Sequence, residues 1–297
     1  MNFPIVPPSI LFPLPKIGPY YGTGKSKIDL IKDRVRDAQK NYEKNLASVE
    51  SILNTERSYV SRAPVNEPII ALMSGGLDST VMVSKIIEDW KVKVYPLFIN
   101  RGARAKKYEE KAFDYFVSFF QQRFPENFLA PYKLEVEIPP REMKESFPME
   151  LALTTGHPLR NSTMQNLAVM YAVSLIGKGI EAKTIFSGSV AEDNTEPELG
   201  LLSLRAQTLN TCISLADWSW QITSPLTDPN LTKKTINKPD LIAYSMEKFI
   251  PLDKTRTCFS SDKLADGACH ACKKRLEAFA HLGMKDPAEY KASKEEI

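Results

Sequence analysis

The chain has 297 residues, 43% of them hydrophobic and 25% charged. That is enough apolar content for one large α/β domain or two small ones, and too much for wholesale disorder. Lys and Arg total 39 against 36 Asp and Glu, a net charge of +3, too small a balance to mark a sequence-independent nucleic-acid binder, so nucleic acid is not an expected partner. No apolar run is long enough to span a membrane, and prolines break the pattern a secretory leader needs. Four cysteines are too few for a disulfide scaffold, so a reducing cytoplasm is the expected location.

The first twenty residues hold six prolines (Pro4, Pro7, Pro8, Pro13, Pro15, Pro19), which predicts an extended arm over 1–25. Ile28, Ile31, Val35, Ala38, Tyr42, Leu46, Val49 and Leu53 then recur at three- and four-residue steps. That is one apolar stripe on an amphipathic helix within 26–66, with Ser26 as N-cap; it packs on the chain's own core or on a partner. Gly22-Thr23-Gly24-Lys25-Ser26 imitates the end of a Walker A loop, but its first glycine would fall at Pro19 and no apolar strand precedes it, so it reads as linker.

From Pro68 short apolar runs alternate with helical patterns. Strands are predicted at Ile69–Met73, Val92–Ile99, Leu134–Ile138, Thr184–Phe186 and Trp220–Thr223, with helices opening near Ser79, Tyr108, Arg160 and Leu201. Such alternation predicts an α/β fold, a five-stranded parallel sheet flanked by helices with right-handed crossovers, over 67–228. After Pro225 the strand signals stop. A helical C-terminal region, 229–297, carries a cysteine cluster and a last amphipathic helix at Lys273–Leu282.

The strongest local signal is Ser74-Gly75-Gly76-Leu77-Asp78-Ser79-Thr80, between an apolar strand and a helix. Two glycines allow special φ values and close approach of backbone to a ligand. The following helix points its N-terminal amides and positive dipole end at the same place. Hydroxyls of Ser74, Ser79 and Thr80 add donors. Such a loop cradles phosphate or pyrophosphate, and Asp78 suits Mg²⁺ beside it. Near the C-terminus, Cys258, Cys269 and Cys272 have the spacing of a zinc knuckle. Zn²⁺ takes four ligands, and Asp266 and His270 both stand close enough in sequence to be the fourth. Cys212 lies in an apolar helical context and is expected to fill core.

The glycine string resembles the pyrophosphate loop of the N-type ATP pyrophosphatases, the PP-loop superfamily. With it come Arg160-Asn161 opening a helix, Gly188 and Glu192-Asp193 after strand four, Ser224-Pro225-Leu226 ending strand five, Leu231-Thr232-Lys233, Thr257-Cys258, and Cys269-x-x-Cys272 before Lys273-Lys274-Arg275. In that order they resemble the 7-cyano-7-deazaguanine synthase family over roughly residues 66–287. The resemblance implies ATP and Mg²⁺ at the loop, with 7-carboxy-7-deazaguanine opposite, its carboxylate activated as an acyl-adenylate. Ammonia would give the amide, and a second activation the nitrile. It implies that Asp78 holds Mg²⁺, that Ser74 to Thr80 with Gly188 bind nucleotide, that Lys233 neutralises phosphate charge, and that Arg160 and Asn161 contact nucleotide or substrate. It further implies a homodimer and Zn²⁺ on four cysteines, the second of which is Asp266 here.

Three segments depart from the family. Asn100-Arg101-Gly102-Ala103-Arg104 replaces Asp-Tyr-Gly-Gln-Arg-His, Glu192 to Pro197 replaces an aromatic, glycine-rich wall, and the N-terminal arm and helix are additional. They leave two further readings open. In one, the same adenylate passes to a protein amine in an antiphage defence system, with a protein as second substrate. In the other, the chain is a non-catalytic nucleotide-binding subunit.

Overall fold

The computed structural model describes residues 40–147, 157–195 and 197–291. The proline-rich arm and the first part of the amphipathic helix lie outside these residues. The described elements follow one another as α1 (Tyr42–Arg57), β1 (Pro68–Leu72), α2 (Leu77–Trp90), β2 (Lys93–Asn100), α3 (Lys106–Arg123), β3 (Tyr132–Glu135), α4 (Arg141–Ser146), α5 (Arg160–Ile176), β4 (Thr184–Phe186), α6 (Leu201–Leu215), β5 (Gln221–Thr223), α7 (Lys238–Glu247) and α8 (His270–His281).

The five strands form one parallel sheet in the order β3-β2-β1-β4-β5, as strand–helix alternation predicts. The central strand β1 buries Ile69, Ile70 and Ala71 completely, because helices cover both faces of such a sheet. One apolar layer joins β1 and β2 to α2, α3, α7 and α8; a second joins them to α5 and α6. Cys212 is buried in the second layer, its thiol on the Trp220 carbonyl, and is core, as expected.

Pro96 lies inside β2, an interior strand, where a proline ordinarily breaks the ladder. Val94 turns both its N–H and its C=O to residues 127–129, so alternation points the Pro96 nitrogen to the same side. There the pairing with β3 starts only at Leu97 and Tyr132. The missing donor faces a gap, and no ladder bond is lost.

The described part of the amphipathic helix, α1, packs on α6 of its own domain. Leu53 is fully buried, the Leu202 N–H donates to Tyr42 Oη at 3.1 Å, and Arg205 reaches Glu50 at 3.0 Å. Arg205 is 1% exposed and also grips Asp228 with two bonds of 2.7 Å. Asp228 accepts from Ser61 and Thr223 as well. An ion pair so fully bonded is tolerated without water, and it fastens the extension to the end of β5.

Beyond β5, α7 packs on α2 and α8 on α7. Arg275 of α8 is buried against Asp286, Thr255 and the Leu252 carbonyl, with Tyr290 also donating to Asp286. These bonds close the cysteine-bearing segment into a small module with Cys258, Ala265 and Cys272 at its centre.

Candidate functional site

Reversal of strand order between β1 and β4 opens a crevice at their C-terminal ends, the usual ligand position in an open parallel sheet. The glycine loop fills its floor. Gly75 has φ +74°, and a Cβ there would come 2.5 Å from the Phe113 nitrogen of α3, so only glycine fits. The Gly75 carbonyl accepts from the Arg256 N–H at 2.9 Å, which ties the loop to the cysteine module.

Ser74 and Gly76 line the crevice. Ser79 also lines it, yet its hydroxyl accepts from the Ser74 N–H at 3.2 Å, so it shapes the loop. Leu77 and Thr80 are buried; their side chains serve the core side of α2, and the Thr80 hydroxyl has no hydrogen-bond partner among the described residues. Gly188, after β4, sits where a Cβ would lie 2.9 Å from both Cα and N of Ser79. A side chain here would push β4's loop off the start of α2.

Asp78 faces the crevice. Both its carboxylate oxygens accept from Lys238 Nζ at 2.5 Å. The lysine that meets the loop's acid is thus Lys238 and not the expected Lys233. Lys233 lines a separate groove with Lys85, Asp89 and Tyr244, away from the loop. The physical reason is local. Leu231 and Thr232 turn back onto the Asp228 carbonyl, which carries Lys233 outward. Asn237 and Asp240 then form a capping box that starts α7 at Lys238, and its ammonium reaches the Asp78 carboxylate at the crevice. Asn237-Lys238-Pro239-Asp240 carries the sequence signal of such a start, an N-cap, a proline in the first turn and an acid at N3.

Asp193 lines the same crevice and accepts from the Val190 N–H. Burial, with the Asp78 charge beside it, pushes its carboxyl up. Arg160 and Asn161 open α5 on the opposite wall. Glu198 accepts from the Asn161 N–H and side-chain amide at 3.2 and 3.1 Å, and burial raises the Glu198 carboxyl. Asn161 is thus held in place rather than free. Arg160 Nε is buried without a hydrogen-bond partner among the described residues, and burial and the nearby Arg101 both disfavour its charge. Glu198 and Glu109 offset part of that cost, and the Nε–H left over is a donor an anion could take. Arg101 reaches Glu109 at 3.3 Å. Neither Arg101, Glu109 nor Glu198 stands out in sequence, since each is a charged residue in a polar stretch that only the fold turns inward.

The ligand atoms of Cys258, Asp266, Cys269 and Cys272 all lie within 4.8 Å of one another. Tetrahedral Zn²⁺ with bonds of ~2.3 Å sets its sulfurs about 3.8 Å apart, so the four donors suit one ion after a small contraction. Asp266 joins the group, whereas His270 is exposed at the start of α8. The Cys269 and Ala268 N–H groups hold the Asp266 carboxyl down to about 2. Cys258 Sγ accepts from the Ser260 and Asp266 N–H groups. Burial and the neighbouring Cys269 and Cys258 thiols push the Cys272 thiol up, the setting in which a bound cation is the natural compensation.

A five-stranded parallel sheet with this glycine loop, an acid at the first turn of α2 and a basic wall opposite defines an ATP-dependent ligase of the PP-loop superfamily. The family profile described as queuosine biosynthesis protein QueC matches residues 68–283, and the chain belongs to that family. Among curated proteins it is 29% identical over 240 residues to a 7-cyano-7-deazaguanine synthase of Chloroherpeton thalassium, covering 75% of this chain and 96% of the relative. A synthase of the same name from Chlorobium limicola is 27% identical, over 74% of this chain and 96% of the relative. Among solved structures, the U34-tRNA thiolase NcsA from Methanococcus maripaludis with its [4Fe-4S] cluster aligns at a TM-score of 0.39 and 14% identity, over 81% of this chain and 73% of that one.

Proposed function

We propose that the chain uses ATP to adenylate the carboxylate of 7-carboxy-7-deazaguanine, releasing pyrophosphate, and that ammonia displaces AMP to give the amide and, after a second activation, 7-cyano-7-deazaguanine. One observation carries the reading: the loop with Asp78, itself held by Lys238, faces Arg160 and its spare Nε–H across a single crevice. Phosphates on the loop and a carboxylate on Arg160 would bring the two reactants together, which supplies most of what a transfer of this kind needs.

Asp78 would hold Mg²⁺, which neutralises phosphate charge, and Lys238 would then turn from Asp78 to the phosphates. Cys258, Asp266, Cys269 and Cys272 would hold Zn²⁺ in a structural role. Four free cysteines, three of them this close together, support a reducing cytoplasm. The stripe Met170, Val173 and Ile176, exposed on α5, supports a homodimer.

A second reading, a protein amine as acceptor, is favoured by the outer part of the cleft. It encloses about 930 Å³, far more than ammonia occupies. Incubation with ATP, Mg²⁺ and 7-carboxy-7-deazaguanine, with and without ammonium, tests both readings by mass spectrometry. AMP with free amide or nitrile supports the synthase. An adenylate that persists in ammonium supports a larger amine, and no AMP at all rejects both.

A further inference from the structure

Outward from Arg160 the crevice opens into a second chamber. Arg101, Glu109 and Arg160 line both chambers, whereas His157, Arg104 and Lys144 line only the outer one. Of the chain's three histidines, His270 and His281 are exposed on α8, which leaves His157 as the imidazole of the cleft. It sits one turn ahead of Arg160, whose N–H donates to its carbonyl at 3.2 Å. Its ring lies 6.2 Å from that of Phe147. Its Nδ1 is buried without a hydrogen-bond partner among the described residues.

Every charged group facing the ring has a bearing on its protonation. Burial, then the charges of Arg160, Lys144 and Arg101, hold the imidazole below its usual range, so it is neutral at pH 7 and offers a lone pair. The chamber's acids do not reverse this. Glu109 is paired with Arg101 and Glu137 with Lys144, each at 3.3 Å, Asp262 with Lys291 at 2.5 Å, and the Asp266 carboxylate accepts from the Ala268 and Cys269 N–H groups. Arg160, Lys144 and Arg101 around the ring disfavour a cation beside it and favour a neutral ammonia or amine there.

We propose that the outer chamber seats the attacking amine and that His157 takes its proton. The inference rests on the adenylation proposed above and concerns the half-reaction after it. The nitrogen lone pair attacks the acyl carbon and the C–N bond forms. The C–O bond to the AMP phosphate breaks, and AMP leaves with that electron pair. The proton shed by nitrogen goes to His157 and from there to solvent. A base of depressed pKa suits this step, because the nitrogen becomes acidic only once it has added to the carbonyl.

Two rates separate the half-reactions: ATP–pyrophosphate exchange driven by 7-carboxy-7-deazaguanine, and amide formation with ammonium. Removal of a general base typically costs ~10²-fold or more. In H157A and H157Q we expect amide formation to fall by about that factor and by at least tenfold more than exchange. We also expect the low-pH fall of the wild-type profile for amide formation, expressed per neutral ammonia, to disappear in both variants, and added imidazole to restore part of the rate in H157A. Equal loss of both rates, or no selective loss of amide formation in either variant, overturns the role of His157. Absence of exchange in the wild type would instead reject adenylation itself, and the inference with it.

Discussion

Gly188→Ala is the sharpest probe of how the fold places the loop. Gly188 has an ordinary φ, so alanine costs nothing in backbone conformation there. The whole effect is contact. The added Cβ would lie 2.9 Å from Ser79 Cα and N, and both atoms are backbone at the start of α2. Reaching an ordinary contact of 3.4 Å needs a shift of at least 0.5 Å, since 3.4 − 2.9 = 0.5. Overpacking of this kind costs ~1–3 kcal/mol, roughly 2–12 °C in Tm for a chain of this size. Because a displacement of ~1 Å costs about a hundredfold in rate, half of that should cost about tenfold in ATP–pyrophosphate exchange. Gly283→Ala is the matched control. Gly283 has φ +67° and open space around it, so alanine there costs ~1–2 kcal/mol of backbone strain and leaves exchange alone. Wild-type exchange in the Gly188 variant, or an equal fall in the Gly283 variant, would refute the reasoning.

Lys238→Met should leave Asp78 unpaired and raise KM for ATP while lowering exchange about tenfold or more, whereas Lys233→Met should change neither; steady-state kinetics on both decides between the two lysines. Asp228→Ala leaves the buried Arg205 with Glu50 as its remaining carboxylate partner and should cost ~3 kcal/mol, roughly 6–12 °C in Tm by calorimetry. Against the cost of burial, Arg275 and Tyr290 hold the Asp286 carboxyl below its usual range. That stabilisation is present above the unfolded carboxylate pKa of ~3.9 and is lost as pH falls through the lower folded value. An Asp286→Asn variant should therefore lose less stability than wild type between pH 4 and lower pH in denaturant titrations. Cys269→Ser should reduce bound zinc from about one ion per chain to a small fraction by elemental analysis; an equally loaded variant would remove Cys269 from the site.

The sheet was legible wherever burial on both faces leaves an unbroken apolar run. Thr184–Phe186 was read at its observed bounds, and β1 to within one residue. β3 was placed two residues late, because this edge strand is largely exposed, with Lys133 and Glu135 on it, and carries no clean alternation. α8 begins at His270, not Lys273, because the cysteine module supplies its first turn. The loop was readable since its glycines and its acid are demanded by local geometry. Lys238 was not, because a Thr-Lys pair nearby imitates the expected position and only the capping box decides which lysine points inward. Asp266 was one of two candidates from spacing, and the fold separates it from His270. Arg101, Glu109 and Glu198 come to the cleft from three distant segments, and a single sequence carries no record of that meeting.

The cysteine module and the loop form one mechanical unit. The Arg256 N–H holds the Gly75 carbonyl, and its guanidinium holds the Ser260, Asp262 and Lys263 carbonyls. Those three carbonyls lie between Cys258 and Asp266, the first two donors of the candidate metal site. The segment that an ion would clamp is therefore the segment from which the loop's floor is suspended. On the other side of the loop, Gly75 presses on α3 and Gly188 on α2, each with no room for a methyl group. The loop is fixed from three directions: by the cysteine module, by α3, and by the segment after β4 pressed on the start of α2. Such bracing can hold the loop's backbone amides in one arrangement, and it links them to a metal-type cluster whose Asp266 and Cys269 line the outer chamber.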